Sequence, residues 1–201
     1  MKKNKILGFS DHRKKNKYRY LLLENGFSKN DLEVGCKILK SGYITMNAET
    51  RKFEEAFAKK LKVKHAVMVN SGSSANLIMI AALFYTKNPK LKLKRGDEVI
   101  VPAVSWSTTY YPLYQYGLKI KFVDIDIETL NYDLVQLESA ITNKTRVVLA
   151  VNLLGNSNDF DCINNIIKDK NVILLEDNCE SMGATFNDKK KIGRASCRER
   201  V

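Results

Sequence analysis

Two periods of apolar residues alternate along this chain. Short apolar runs, four to five residues long and rich in β-branched side chains, read as buried strands, while apolar residues three and four apart read as helix faces. The segment 29–40 (KNDLEVGCKILK) carries Leu32, Cys36, Ile38 and Leu39 at helical spacing, with Ser28 or Asn30 as cap and Ser41-Gly42 as its break. Glu49–Leu61 repeats the pattern through Phe53, Phe57 and Leu61. From there the two periods take turns. Strands are predicted over 66–69, 98–101 (ended by Pro102), 119–123, 146–151 and 172–175. Helices are predicted over 73–85, 108–116 (Pro112 near the first turn), 134–141 (started by Asp133) and 159–168. Strands alternating with helices of this length imply an α/β fold with a mainly parallel sheet and helices on both faces. No internal repeat or low-complexity segment interrupts the series.

Parallel α/β sheets bind ligands outside the carboxyl ends of their strands, so the residues after each strand are where chemistry is sought. After 66–69 comes Asn70-Ser71-Gly72-Ser73-Ser74-Ala75-Asn76, small residues opening a helix whose free N–H groups and positive end suit a phosphate. A Ser-rich helix start serves equally as a cap. The segment is neither a P-loop, for lack of Gly-Lys-Ser/Thr, nor a GxGxxG site. After 98–101 comes the single Trp106, among small hydroxyl residues, which could stack on a flat heteroaromatic ring or belong to a core or lid. After 172–175 comes Glu176-Asp177-Asn178-Cys179-Glu180. Asp177 and Glu180 are three apart, so a helical turn starting at Asp177 would present both on one side. One could pair with a cationic ring nitrogen and the other could bond a ring substituent; a cap or solvated loop is the plainer use of such acids. A phosphate cradle, a stacking aromatic and an anion for a ring nitrogen are together the parts of a pyridoxal-phosphate site.

Composition narrows the partners. The 201 residues carry a formal charge of +12, which invites a nucleic-acid reading, but residues 1–20 alone hold eight Lys/Arg against one acid. With the basicity concentrated at the ends, the remaining body is of mixed charge, and a nucleic-acid role is set aside. The arm 1–20 is expected to be disordered, with no apolar core of a secretory signal. No run of 18 apolar residues exists, so no membrane span is expected. Cys36, Cys162, Cys179 and Cys197 are scattered and only two histidines are present, so no metal site is drawn, and reduced thiols in the cytoplasm are the simplest reading.

The segments VMVNSGSSANLIMIAAL, GDEVIVPAVSWSTTYYPLYQYGLKIKFVDID, AVNLLGNSNDFD and LLEDNCESMGATF resemble the DegT/DnrJ/EryC1/StrS sugar aminotransferase family across residues 25–191. The resemblance implies the aspartate-aminotransferase-like large domain (fold type I) and the cofactor pyridoxal 5'-phosphate, or its pyridoxamine 5'-phosphate form. It implies that Gly72 and Ser73 hold the cofactor phosphate through backbone amides, that Trp106 stacks on the pyridine, that Asp177 pairs with the pyridinium nitrogen and that Glu180 lies by the pyridine's hydroxyl edge. An acid at 180, where most members carry Gln or His, and the run SWSTTYYPL lean toward the branch that removes the C3 hydroxyl of a GDP-linked 4-keto-6-deoxy sugar, with glutamate as amino donor. The alternatives are a sugar aminotransferase of the same family and, from another class, a non-catalytic α/β binding module.

The family's deciding residue, a Schiff-base Lys in aminotransferases or a His in 3-dehydratases, follows the acid cluster and is expected beyond residue 201. Lys189, Lys190 and Lys191 come too early and read as a charged turn. Residues 192–201 (IGRASCRERV) match a conceptual translation of a sequencing adapter and are expected to be an artefact. On this reading residues 21–191 are the N-terminal part of a cofactor-binding large domain. Full-length members are homodimers with shared active sites, so the chain alone is expected to have little turnover.

Overall fold

The computed structural model describes residues 27–186, which fall into two units, 27–49 and 50–186. The basic arm, Lys189–Lys191 and the decapeptide 192–201 lie outside the described residues.

The first unit is built on α1 (Lys29–Ser41). Of the two candidate caps, Ser28 is the one used. Its hydroxyl accepts from Asp31 N while the Asp31 carboxylate accepts from Ser28 N at 2.7 Å, a reciprocal capping box, and Gly42 ends the helix in the left-handed region.

The second unit holds α2 (Ala48–Leu61), which begins at the boundary, then α3 (Gly72–Tyr85), β1 (Glu98–Pro102), α4 (Ser107–Gln115), β2 (Lys119–Val123), α5 (Leu134–Ala140), β3 (Thr145–Val151), α6 (Phe160–Ile166) and β4 (Ile173–Asp177). Along α2 the predicted stripe is present, with Phe53 and Phe57 stacked at 5.4 Å. The four strands are parallel in the order β2-β1-β3-β4.

Because side chains alternate along a strand, each strand feeds two cores. Val99, Val101, Val147, Leu149, Ile173 and Leu175 point to α3 and α4, where Ile80, Leu83 and Leu113 meet them. Ile100, Val148, Ala150 and Leu174 point to α5 and α6, where Leu137, Phe160 and Ile163 close the other side. This is the expected parallel sheet with helices on both faces. Tyr132 ties the layers together. Its buried hydroxyl donates to the carbonyls of Leu149 and Ile100 at 2.7 and 3.2 Å, and burial pushes its pKa well up.

Three expectations are corrected. Residues 66–69 are not a strand: Val67 is exposed, and Met68 N donates to the Glu54 carboxylate at 2.7 Å rather than to a ladder. A short apolar run becomes a strand only where a neighbour supplies hydrogen bonds, and among the described residues none runs beside it. Pro112 lies inside α4, not near its first turn, because the helix already begins at Ser107. The last strand does not stop at Leu175. Its ladder continues with Ala150 opposite Glu176 and Val151 opposite Asp177, so two carboxylates are carried into the buried sheet.

Candidate functional site

The strand register determines where Asp177 points. It follows Ile173 and Leu175 on the α3/α4 side, whereas Glu176 shares the α5/α6 side with Leu174. Only 2 % of Asp177 is exposed. A buried carboxylate needs donors, and the two helices supply them. Asn76 Nδ2, one turn into α3, donates to Asp177 Oδ2 at 2.8 Å, and Thr109 Oγ1, in the first turn of α4, donates to the same oxygen at 2.9 Å. The backbone N–H of Cys179 donates to Oδ1 at 3.2 Å. The Cys179 thiol also bonds this carboxylate.

The same bonds tie the other candidates to Asp177. Asn76 lies four residues after Gly72 in α3, whose cap Ser71 accepts from Ser74 N at 3.2 Å. Gly72 and Ser73 occupy the first two helical positions, exposed, with N–H groups that have no intrahelical partner. Trp106 is the N-cap residue of α4, its carbonyl accepting from Thr109 N at 3.0 Å, and its ring is 70 % exposed. The start of α3, the start of α4 and the end of β4 thus meet around one carboxylate. Ser105 Oγ extends the chain by donating to Thr109 Oγ1 at 3.3 Å.

Glu180 is placed differently, and the expectation that it shares a side with Asp177 is corrected. No helical turn begins at Asp177, which ends a strand; residues 178–180 form a turn, and Glu180 is exposed. Its Oε2 accepts from Leu154 N at 2.8 Å. That bond holds the short 3₁₀ turn Leu153–Gly155 after β3, in which Leu154 takes the left-handed conformation (φ 51°) that non-glycine residues rarely adopt. Between the two acids, the Cys179 thiol is pushed up to about 12, first by burial and then by the neighbouring Asp177 carboxylate. It stays protonated at neutral pH and is no nucleophile.

Beneath this turn lies a buried amide network. Asn152 Nδ2 donates to Asn178 Oδ1 at 2.5 Å, Asn158 N and Nδ2 donate to Asn152 Oδ1 at 2.9 and 3.0 Å, and Ser181 Oγ donates to Asn178 Oδ1 at 3.0 Å. It clamps the chain after β3 to the chain after β4, so the Asp177–Glu180 segment has little freedom. Asn76, Thr109 and this network were missed by the sequence reading. The available signals were a lone amide ahead of the apolar run Leu77–Leu83 and the Asn-rich string after Val151.

The arrangement fits a flat heteroaromatic phosphate. It offers free N–H groups at one helix start, an exposed indole at a second, and a buried carboxyl group between them. Among the described residues no cluster of His, Cys, Asp and Glu could hold a metal ion, and no helix is long and apolar enough to cross a membrane.

Comparison with known proteins identifies the family and the fold. The profile of the DegT/DnrJ/EryC1/StrS aminotransferase family matches residues 27–198. GDP-4-keto-6-deoxy-D-mannose 3-dehydratase of Escherichia coli O55:H7 is 63% identical over 152 residues, 76% of this chain and 39% of that protein. A solved GDP-4-keto-6-deoxymannose-3-dehydratase with a trapped PLP-glutamate geminal diamine superposes with a TM-score of 0.81 at 58% identity, covering 85% of this chain and 44% of that one. A mutant of that enzyme with bound GDP-perosamine gives the same score, identity and coverage. The α/β layer is thus of the aspartate-aminotransferase-like, PLP fold type I kind. The chain spans about two fifths of the length of these relatives.

Proposed function

Because the chain belongs to the DegT/DnrJ/EryC1/StrS aminotransferase family, we propose that the whole protein is a pyridoxal-phosphate-dependent 3-dehydratase of a GDP-linked 4-keto-6-deoxy sugar, with glutamate as amino donor. The observation that carries the reading is the buried Asp177 carboxylate, held on one oxygen by Asn76 and Thr109 at the starts of the two helices that also carry Gly72, Ser73 and Trp106. When bound, the cofactor supplies an electron sink for proton removal and departure of the C3 hydroxyl. Asp177 keeps the ring nitrogen protonated, and the Asn76 and Thr109 donors hold its carboxyl group aimed. Trp106 covers one ring face, the Gly72 and Ser73 amides hold the phosphate, and Glu180 borders the ring's hydroxyl edge while fixing the Leu153–Gly155 turn.

Exposed Leu77, Ile78, Tyr111 and Tyr114 on α3 and α4 support a homodimer, and the free thiols of Cys36, Cys162 and Cys179 suit a cytoplasmic setting. The test is to supply the full-length protein with pyridoxal phosphate, glutamate and GDP-4-keto-6-deoxymannose. A bound-cofactor absorbance band and a 3-deoxy product are expected. A 4-amino product would move the assignment to an aminotransferase, and absence of any cofactor band would leave a binding module.

A further inference from the structure

The opposite end of the sheet, where the strands begin, carries a second feature unrelated to the candidate cofactor site. A groove of about 700 Å³ opens there beside the amino ends of β1, β2 and β3. Five cationic side chains line it: Lys92 and Lys94 from the loop before β1, Lys119 from the start of β2, Lys144 just before β3 and Arg146 at its start. Two carboxylates, Asp97 and Glu98, also line it, leaving an excess of three positive charges.

Three observations distinguish the groove from an ordinary mixed-charge face. First, both carboxylates serve local structure. Glu98 Oε1 accepts from the Thr145 and Thr142 hydroxyls at 2.6 and 3.3 Å, and Asp97 Oδ2 accepts from Lys94 N at 2.9 Å. Second, no ion pair joins any of the four lysines to a carboxylate among the described residues, and all four are exposed. Third, the guanidinium of Arg146 is held in place by the carbonyls of Asn171 and Lys90, which fixes a permanent cation on the groove wall. A cleft with a net excess of one sign of charge attracts counter-ions.

We propose that this groove binds a short linear polyphosphate. A concave site of this volume matches a small ligand better than a flat membrane or a duplex. Several unpaired ammonium groups around one fixed guanidinium suit an anion carrying several charges along a chain. None of the lining residues is aromatic, so a nucleotide base finds no platform, and the recognition is of phosphate charge alone.

The experiment is a titration of the full-length protein with tripolyphosphate in about 0.15 M salt, near the physiological ionic strength at which exposed charges are well screened. It is read by phosphorus NMR or calorimetry and repeated with K119E/K144E. These side chains are exposed, and circular dichroism checks that the variant keeps its fold. At least tenfold weaker binding by the variant is expected, with tripolyphosphate binding well ahead of orthophosphate. Equal binding by the variant overturns the proposal, as does wild-type binding no tighter than orthophosphate. Displacement of the probe by pyridoxal phosphate would place it in the cofactor cradle and also overturns the proposal. Stronger competition by a DNA oligonucleotide or by phosphatidylserine vesicles would assign the groove to a macromolecule or membrane instead.

Discussion

The two ends of the sheet both carry acidic or basic groups and hold them in opposite ways. At the carboxyl ends, Asp177 is buried and each bond to it comes from a group on a separate element: Asn76 on α3, Thr109 on α4 and the turn at Cys179. At the amino ends, Lys92, Lys94, Lys119 and Lys144 are exposed, each on a long flexible stem. A carboxylate held by short bonds in a dry place responds to geometry and little to salt. A set of solvated ammonium groups responds to salt and little to the detail of any one of them. Rigid preorganisation belongs with orienting a ring nitrogen, and loose charge with gathering a polyanion.

The sharpest way to break the comparison is at Asp177. D177A removes the acceptor from Asn76 and Thr109, and leaving buried donors unsatisfied costs about 2–4 kcal/mol of stability in denaturant unfolding. In the full-length protein, D177N is expected to weaken cofactor binding and abolish activity. A fully active D177N enzyme would show that the pyridinium partner lies elsewhere. A finer probe is the double-mutant cycle of N76A and T109V. Each single change is expected to cost about 1–2 kcal/mol, and the pair should depart from additivity because both bond one oxygen. Strict additivity would mean that the two donors do not cooperate on Asp177.

Acid titration sharpens the contrast further. Asp133 and Asp159 cap α5 and α6 at the carboxyl side of the sheet, and their backbone N–H partners hold both carboxyls below the usual range. A carboxyl whose folded pKa is depressed contributes stability above its unfolded pKa, about 4, and that contribution is lost as pH falls through the lower folded value. The Tm should therefore drop as pH falls below about 4, and a D133N/D159N variant should show a shallower drop. The smallest effect is expected at the amino ends. K119E/K144E should change unfolding stability by no more than about 0.5 kcal/mol. A larger loss would mean that these lysines are structural and the groove is not free.

Much of the fold was legible because it rests on local patterns. Short apolar runs rich in β-branched residues marked β1 to β4, helical spacing marked the helices, and cap residues such as Ser28 and Asp133 carried their own side-chain acceptors. Trp106 and Asp177 were legible as candidates from their positions beside strand ends, and Gly72 and Ser73 from the small residues that open a helix. What failed was local reading where a distant partner decides. Residues 66–69 had the right residues for a strand and no ladder beside them. Residues Glu176 and Asp177 looked like the start of a loop but remain in β4 because β3 still pairs with them.

The sequence by itself determined the alternation of elements and which residue types stand after each strand, because propensity, period and capping act over a few neighbouring residues. Only the tertiary structure decided that Asp177 and Glu180, three positions apart, take different partners. The register of β4 against β3 turns Asp177 toward Asn76 and Thr109, 101 and 68 positions away in the chain. The turn that follows sends Glu180 to Leu154 instead. Likewise, the charge count could not show that four unpaired lysines and a fixed arginine share one groove, since a parallel sheet brings together strand beginnings that lie far apart along the chain.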